Sequence, residues 1–266
     1  MPEGDTIFRA AANLRKVLQG AVIETATGRA ELGEIQSVIG SRVLGIESRG
    51  KHLIIHFRNQ QALHSHMGMT GSWHIYRDSD IWKKPAHQAI VQMQTGHWQV
   101  VCFVPKQIRL LTARQLQRDA YLQKLGPDIL GPPIGDDVYL NRMRTQKSSA
   151  IGEAVMNQTV VCGIGNVYKS EILFLSGINP VTPVRSLSDD VLIQLRDTVV
   201  LLMKRNLDNG PRKTRFRGDG QKLWVYRRRG EVCLKCGETI EMLRQGNLAR
   251  STYFCPTCQP LPHALV

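Results

Sequence analysis

Two cysteine pairs near the end of the chain, Cys233-x2-Cys236 and Cys255-x2-Cys258, constrain its folding more than any other feature of the sequence. Four thiolates on two such knuckles match a tetrahedral zinc site, with a spacing inside the usual structural range. Four cysteine ligands leave no open coordination position, so the one Zn2+ expected here is structural. Disulfides are the competing arrangement, and the lack of a secretion signal argues against them. Between the pairs, TIEMLRQGNLARSTYF reads as two strands around Gly246-Asn247, a metal-stapled hairpin with Arg244 and Arg250 near its tip. Cys102 and Cys162 lie in apolar surroundings and read as core packing.

The segment leading into this module is strongly basic. Lys and Arg number 35 against 22 Asp and Glu in 266 residues, a formal charge of +13. Such an excess attracts polyanions, nucleic acid first among them. It concentrates in PRKTRFRGDGQKLWVYRRRG, with Arg212, Lys213, Arg215, Arg217, Lys222, Arg227, Arg228 and Arg229 against the single acid Asp219. Phe216, Trp224 and Tyr226 interleave with the charges, and LWVY alternates like a strand. A basic loop that feeds an ordered module reads as a phosphate-contacting surface; a solvated charged run is the plainer alternative. No apolar run reaches the roughly 18 residues of a membrane span, and the N-terminus reads as that of a cytosolic protein.

Along the chain, hydrophobic period separates two halves. Ile7, Ala11, Leu14 and Leu18 fall at helical spacing from the very start. Residues 20–104 then break into short alternating or apolar pieces, such as SRVLGIESRG, KHLIIHF and WQVVCFV, which predict a β-sandwich or barrel. TARQLQRDAYLQKL reads as a helix, and LGPDILGPPIGDD as an interdomain linker. From about residue 136 the pattern is helical. SLSDDVLIQLRDTVVLLMKRNL shows Ser188 as N-cap and Leu187 with Leu192 as a hydrophobic staple. Inside this half, GIGN joins two helices, and Asn166 opens the second of them. That start either holds a phosphate or uses Asn166 as an ordinary cap. The order of elements predicts an α+β chain divided as 2–120 (β-sandwich), 121–135 (linker), 136–217 (helical) and 218–260 (zinc finger).

The opening MPEGDTIFRAAANLRKVL sets Pro2 and Glu3 at a helix start, where both residue types are generally favoured. Combined with SRGKHL around Lys51, SHMGMTGSW, LGPD, GIGNVYKSEIL and RSTYFCPTCQ, this start resembles the formamidopyrimidine-DNA glycosylase and endonuclease VIII family of base-excision repair enzymes. The resemblance runs from Pro2 to Gln259 and implies a two-layered β-sandwich, then a helix-two-turn-helix domain ending in a zinc finger. It implies a bifunctional DNA glycosylase and AP lyase. After methionine removal, the secondary amine of Pro2 attacks C1′ of the damaged nucleotide. A chain-terminal amine titrates well below lysine, so it is more often the uncharged nucleophile. Glu3 is implied as general acid, a role that needs a buried carboxyl. Lys51 is implied as proton donor in β-elimination, and Arg250 is assigned to the δ-elimination step. Asn166 and Arg250 are implied to grip phosphates, and Met69 to fill the gap left by the everted nucleotide.

The PEGD start lies closer to the endonuclease VIII branch. VPKQIRLL carries Arg109 but no neighbouring aromatic of the kind that the other branch inserts. The segment before the zinc module is short, and Gly68, Met69 and Thr70 stand where a bulkier wedge is common. Oxidised pyrimidines and abasic sites in double-stranded DNA are therefore the expected substrates, and a monomer in the cytoplasm, at the nucleoid, is the expected form. A zinc-containing DNA-binding protein without catalytic activity, or an RNA binder, would explain the charge and the metal but not Pro2 with Glu3. His64 and His66 receive no chemical role at this stage.

Overall fold

The chain enters helix α1 (Gly4–Leu18) at once, with Ile7, Ala11, Leu14 and Leu18 buried as their spacing predicts. The structure is a computed structural model that describes residues 2–208 and 210–261. Its contacts divide between Lys124 and Leu125 into two units.

In the first unit, α1 is followed by β1 (Thr25–Gly28), β2 (Val43–Arg49), β3 (His52–Phe57), β4 (Gln61–His66), β5 (Ser72–Arg77), β6 (Ala89–Thr95), β7 (Trp98–Phe103) and β8 (Gln107–Thr112). They form two antiparallel sheets, ordered β1-β6-β7-β5 and β2-β3-β4-β8. Ile46, Leu53, Ile55 and Leu63 of one sheet meet Val91, Met93, Val100 and Cys102 of the other, and the apolar stripe of α1 joins the same core. This is the expected sandwich. Strands β6 and β8 lie outside the stretches that the sequence marks as strand. TARQLQRDAYLQKL forms two short helices, α2 (Ala113–Gln117) and α3 (Ala120–Lys124), in place of the single helix expected. The break has a local cause: the Asp119 carboxylate accepts the backbone N–H groups of Tyr121 and Leu122 and starts a new helix.

Two hydrogen bonds to the β2 backbone, one from a side chain, fix the direction of α1. Gly20 N–H donates to Val43 O at 2.9 Å and Arg15 Nε to Ile46 O at 2.6 Å, so the helix runs antiparallel to β2. From Arg15 back to Glu3 the helix path is about 18 Å, and from Ile46 forward to Lys51 the strand path is about 17 Å. The start of the chain and the Gly50-Lys51 turn therefore arrive at the same end of the sandwich.

The second unit contains α4 (Asp136–Arg144), α5 (Ile151–Ala154), α6 (Asn166–Leu175) and α7 (Asp189–Lys204), then the hairpin β9 (Glu241–Gln245) and β10 (Arg250–Phe254). Tyr139, Met143, Ile151, Tyr168, Ile172, Leu192, Leu195 and Val199 share its core. Ser188 Oγ accepts Val191 N–H at 3.4 Å, the predicted cap of α7. Beyond α6, Gly177 takes the left-handed conformation at φ +67°, and Ile178 N–H returns to Leu173 O at 2.9 Å. That closure is a glycine C-cap. Among the described residues, no helix is long and apolar enough to cross a membrane.

Candidate active site

Pro2 stands half-buried immediately ahead of α1. Met1, whose loss the nucleophile requires, lies outside the described residues. Glu3 is the N-cap of α1: its carbonyl accepts Thr6 N–H at 2.9 Å and Ile7 N–H at 3.1 Å, and its side chain makes no capping bond. The whole residue is shielded from solvent, at 0% exposure. Its carboxyl is thus enclosed at the positive end of α1 and takes no part in capping it. Asp5, equally buried, bonds Thr6 through its own carboxylate.

Lys51 occupies the β2–β3 turn after Gly50, whose φ of +57° suits glycine. Met69 sits at the tip of the β4–β5 connection and is 74% exposed, whereas Met67 is buried. Two glycines permit this tight turn. A Cβ on Gly68 would come within 2.7 Å of Lys106 Cβ, and one on Gly71 within 2.5 Å of Met67 O.

In the second unit the hairpin is docked onto α6 through Asn166. Asn166 Nδ2 donates to Ser251 O at 2.7 Å, which holds the start of β10 and its exposed first residue, Arg250, against the start of the helix. No side chain caps α6, because its N-cap is Gly165. Asn166 is thus a bracket between helix and hairpin, not the ordinary cap.

The basic segment differs from its sequence reading in two respects. Trp224, Val225 and Tyr226 do not form a strand. Their N–H groups converge on the Glu171 carboxylate at 2.8–2.9 Å, and Thr214 Oγ1 donates to it as well. Successive N–H groups of a strand point to opposite sides, so one carboxylate can gather three of them only from a turn. Burial raises the Glu171 pKa, and the four hydrogen bonds oppose that rise. Arg215 and Arg228 are interior, pairing with Asp219 and Glu231. Lys213, Arg217, Lys222, Arg227 and Arg229 are exposed. Those five are the charges of the run left open to solvent.

The four zinc-knuckle thiols lie within 4.8 Å of one another. The Cys233–Cys258 and Cys236–Cys255 sulfur separations are 3.9 and 3.5 Å, far from bonded sulfur. Tetrahedral zinc with Zn–S near 2.3 Å puts its sulfurs about 3.8 Å apart, so the donor set fits one structural Zn2+. Cys233 and Cys255 also pack with Phe174, Val225 and Ile240.

Sequence reading missed a buried polar cluster on the outer face of the β2-β3-β4-β8 sheet. Burial, helped by His66 and His64, depresses the His52 pKa to about 3. Burial and Arg109 bring His64 to about 4. Both rings are neutral in the folded protein, while the unfolded chain protonates them from about pH 6.5 downward. The associated stability is therefore complete above pH 6.5 and is lost as the pH falls toward 4, at up to about 1.4 kcal/mol per pH unit for each ring. Denaturant titrations from pH 7 to 4.5 are expected to show this slope, and His64→Asn to flatten it.

Three family models cover nearly the whole chain: the formamidopyrimidine-DNA glycosylase N-terminal domain over residues 1–117, the H2TH domain over 125–217, and the zinc finger found in FPG and IleRS over 230–261. The "Probable endonuclease 8 2" of Streptomyces coelicolor is 37% identical, with 98% of this chain and 95% of the relative aligned. The "DNA-(apurinic or apyrimidinic site) lyase Nei2" of Mycolicibacterium smegmatis is 34% identical over 97% of this chain and 99% of its own. In structure, Lactococcus lactis formamidopyrimidine-DNA glycosylase, crystallised with DNA containing an AP site, superposes with a TM-score of 0.82 at 22% identity, covering 97% of this chain and 100% of that one. The chain belongs to the formamidopyrimidine-DNA glycosylase and endonuclease 8 family.

Proposed function

We propose that the protein is a bifunctional DNA glycosylase and AP lyase of base-excision repair, acting on oxidised pyrimidines and abasic sites in double-stranded DNA. The observation that carries this reading is Glu3, wholly buried beside Pro2 at the start of α1 with its side chain left out of the helix cap. The Pro2 nitrogen attacks C1′ of the everted nucleotide, the C1′–N bond to the base breaks, and Glu3 supplies the proton. The sugar ring opens to an iminium joined to Pro2. That cation acidifies C2′; the C2′ proton passes to solvent as the C3′–O bond breaks, and Lys51 donates a proton to the departing 3′ phosphate. A second elimination, assigned to Arg250, releases the 5′ phosphate and leaves a one-nucleotide gap. Asn166 and Arg250, held together through Ser251, take the backbone phosphates, and Met69 enters the vacated stack.

On this reading residues 2–120 carry base removal and the first elimination, 121–135 connect, and 136–217 with 218–260 grip the duplex, Arg250 adding the second elimination. The protein acts as a monomer in the cytoplasm, at the nucleoid. The relatives named endonuclease 8 support the nearness to that branch on which the preference for pyrimidines rests. The test is incision by repurified protein of duplexes carrying an abasic site, an oxidised pyrimidine or 8-oxoguanine. Gapped products from the first two at rates well above the third are expected. Binding without incision of any duplex would leave only a DNA-binding protein.

A further inference from the structure

Arg109 stands in a stretch that the family resemblance compares with a base-contacting loop, yet the structure ties its half-buried side chain to a chain of polar groups on the sheet. Asp119, at the start of α3, accepts Arg109 Nη2 at 2.5 Å through Oδ2 while Oδ1 holds the Tyr121 and Leu122 N–H groups. The same Nη2 lies 3.2 Å from His64 Nδ1, and His64 Nε2 lies 2.8 Å from His52 Nδ1. Strand register explains the alignment: His64 faces Arg109 across β4–β8, and His52 faces His66 across β3–β4. The His52 ring packs 4.7 Å from His66, and Lys51 is its neighbour in sequence. Lys51 also lies close enough to His66 to help lower its pKa.

The direction of every proton in this chain follows from one fact: a guanidinium can only donate. His64 Nδ1 must then accept, so a neutral His64 carries its proton on Nε2 and donates it to His52 Nδ1. His52 in turn carries its proton on Nε2. Two histidines that could each adopt either tautomer are locked into one, with Asp119 holding the arginine that sets it. The arginine is kept at a cost, because its Nε is buried with no acceptor among the described residues.

We infer that Asp119, Arg109 and His64 are positioning residues that fix the tautomer and orientation of His52 and thereby seat Lys51 for β-elimination. The inference rests on the proposed role of Lys51. It predicts that the network acts on the elimination step and not on DNA affinity or iminium formation. Arg109→Met keeps the stem and removes the donors. Single-turnover cleavage of preformed abasic-site DNA by this variant is expected to slow about tenfold, with borohydride-trapped adduct and DNA Kd within twofold of wild type. Asp119→Asn, a milder change in the same chain, should act in the same direction, and Arg109→Lys should recover part of the rate.

Long-range nitrogen–proton NMR of the imidazoles supplies a readout independent of activity. Wild type should show His52 and His64 both protonated on Nε2, and Arg109→Met should release His64 into a tautomer mixture. In a Lys51→Ala background, Arg109→Met should cost no further rate. An Nδ1-protonated His64 in wild type, full elimination rate in Arg109→Met and Asp119→Asn, or an undiminished Arg109→Met effect without Lys51 would each overturn the inference. Unchanged elimination in Lys51→Ala alone would instead remove the lysine's role, and the positioning claim with it.

Discussion

Exchange of Cys255 for serine, or removal of the metal by a chelator, is expected to weaken DNA binding by about two orders of magnitude at moderate salt and to flatten its salt dependence. The reason is the small size of the hairpin. β9 and β10 are five residues each, and Cys233 and Cys255 are two of the five buried residues in their apolar cluster. Structural zinc contributes about 10–16 kcal/mol of folding free energy in such modules, more than so small a core can replace. With the hairpin unfolded, Arg250 loses its fixed place, and the Asn166–Ser251 bracket has nothing to hold. The packing of Val225 and Phe174 against Cys255 extends the damage to the turn that gathers on Glu171. Fluorescence anisotropy across a salt series, with zinc restored to the chelated sample, measures the effect. Full affinity without metal would contradict this account of how Arg250 is held.

The second large effect concerns Glu3. Glu3→Gln keeps the shape of a fully buried side chain and removes its transferable proton. Excision of an oxidised pyrimidine is expected to fall by about 10²–10⁴, the usual worth of a positioned general acid. Strand cleavage at a preformed abasic site, where no base has to leave, should fall far less. Single-turnover rates on the two substrates give the split. Equal losses on both would assign Glu3 to folding or to iminium chemistry and not to departure of the base.

How much of this was readable in advance depended on how far apart in sequence the interacting groups lie. The zinc hairpin was legible because its ligands are spaced by local geometry and its turn is marked by Gly246-Asn247. The cap of α7 was legible for the same reason: Ser188 acts within a few residues of itself. LWVY misled because the carboxylate that folds it into a turn is distant in sequence: Glu171 is 53–55 residues from the amides it holds. The break between α2 and α3 could have been found, since Asp119 is a good helix starter, but the helical period of the flanking residues masked it. His64 and Arg109 are 45 residues apart and meet only through β-sheet register, which no single strand specifies. Pro2 and Glu3 are a separate case. Their local sequence suits any helix start, and only the motifs further along the chain gave them meaning.

Every chemical step above begins at one nitrogen. Borohydride reduction of the protein on abasic-site DNA, followed by proteolysis and mass spectrometry of the cross-linked peptide, reads its identity directly. The account predicts a single modified peptide beginning at Pro2, with the sugar fragment on its imino nitrogen, and little adduct from Pro2→Gly. A cross-link mapped to Lys51 or another lysine, or undiminished trapping in the Pro2→Gly variant, would contradict it.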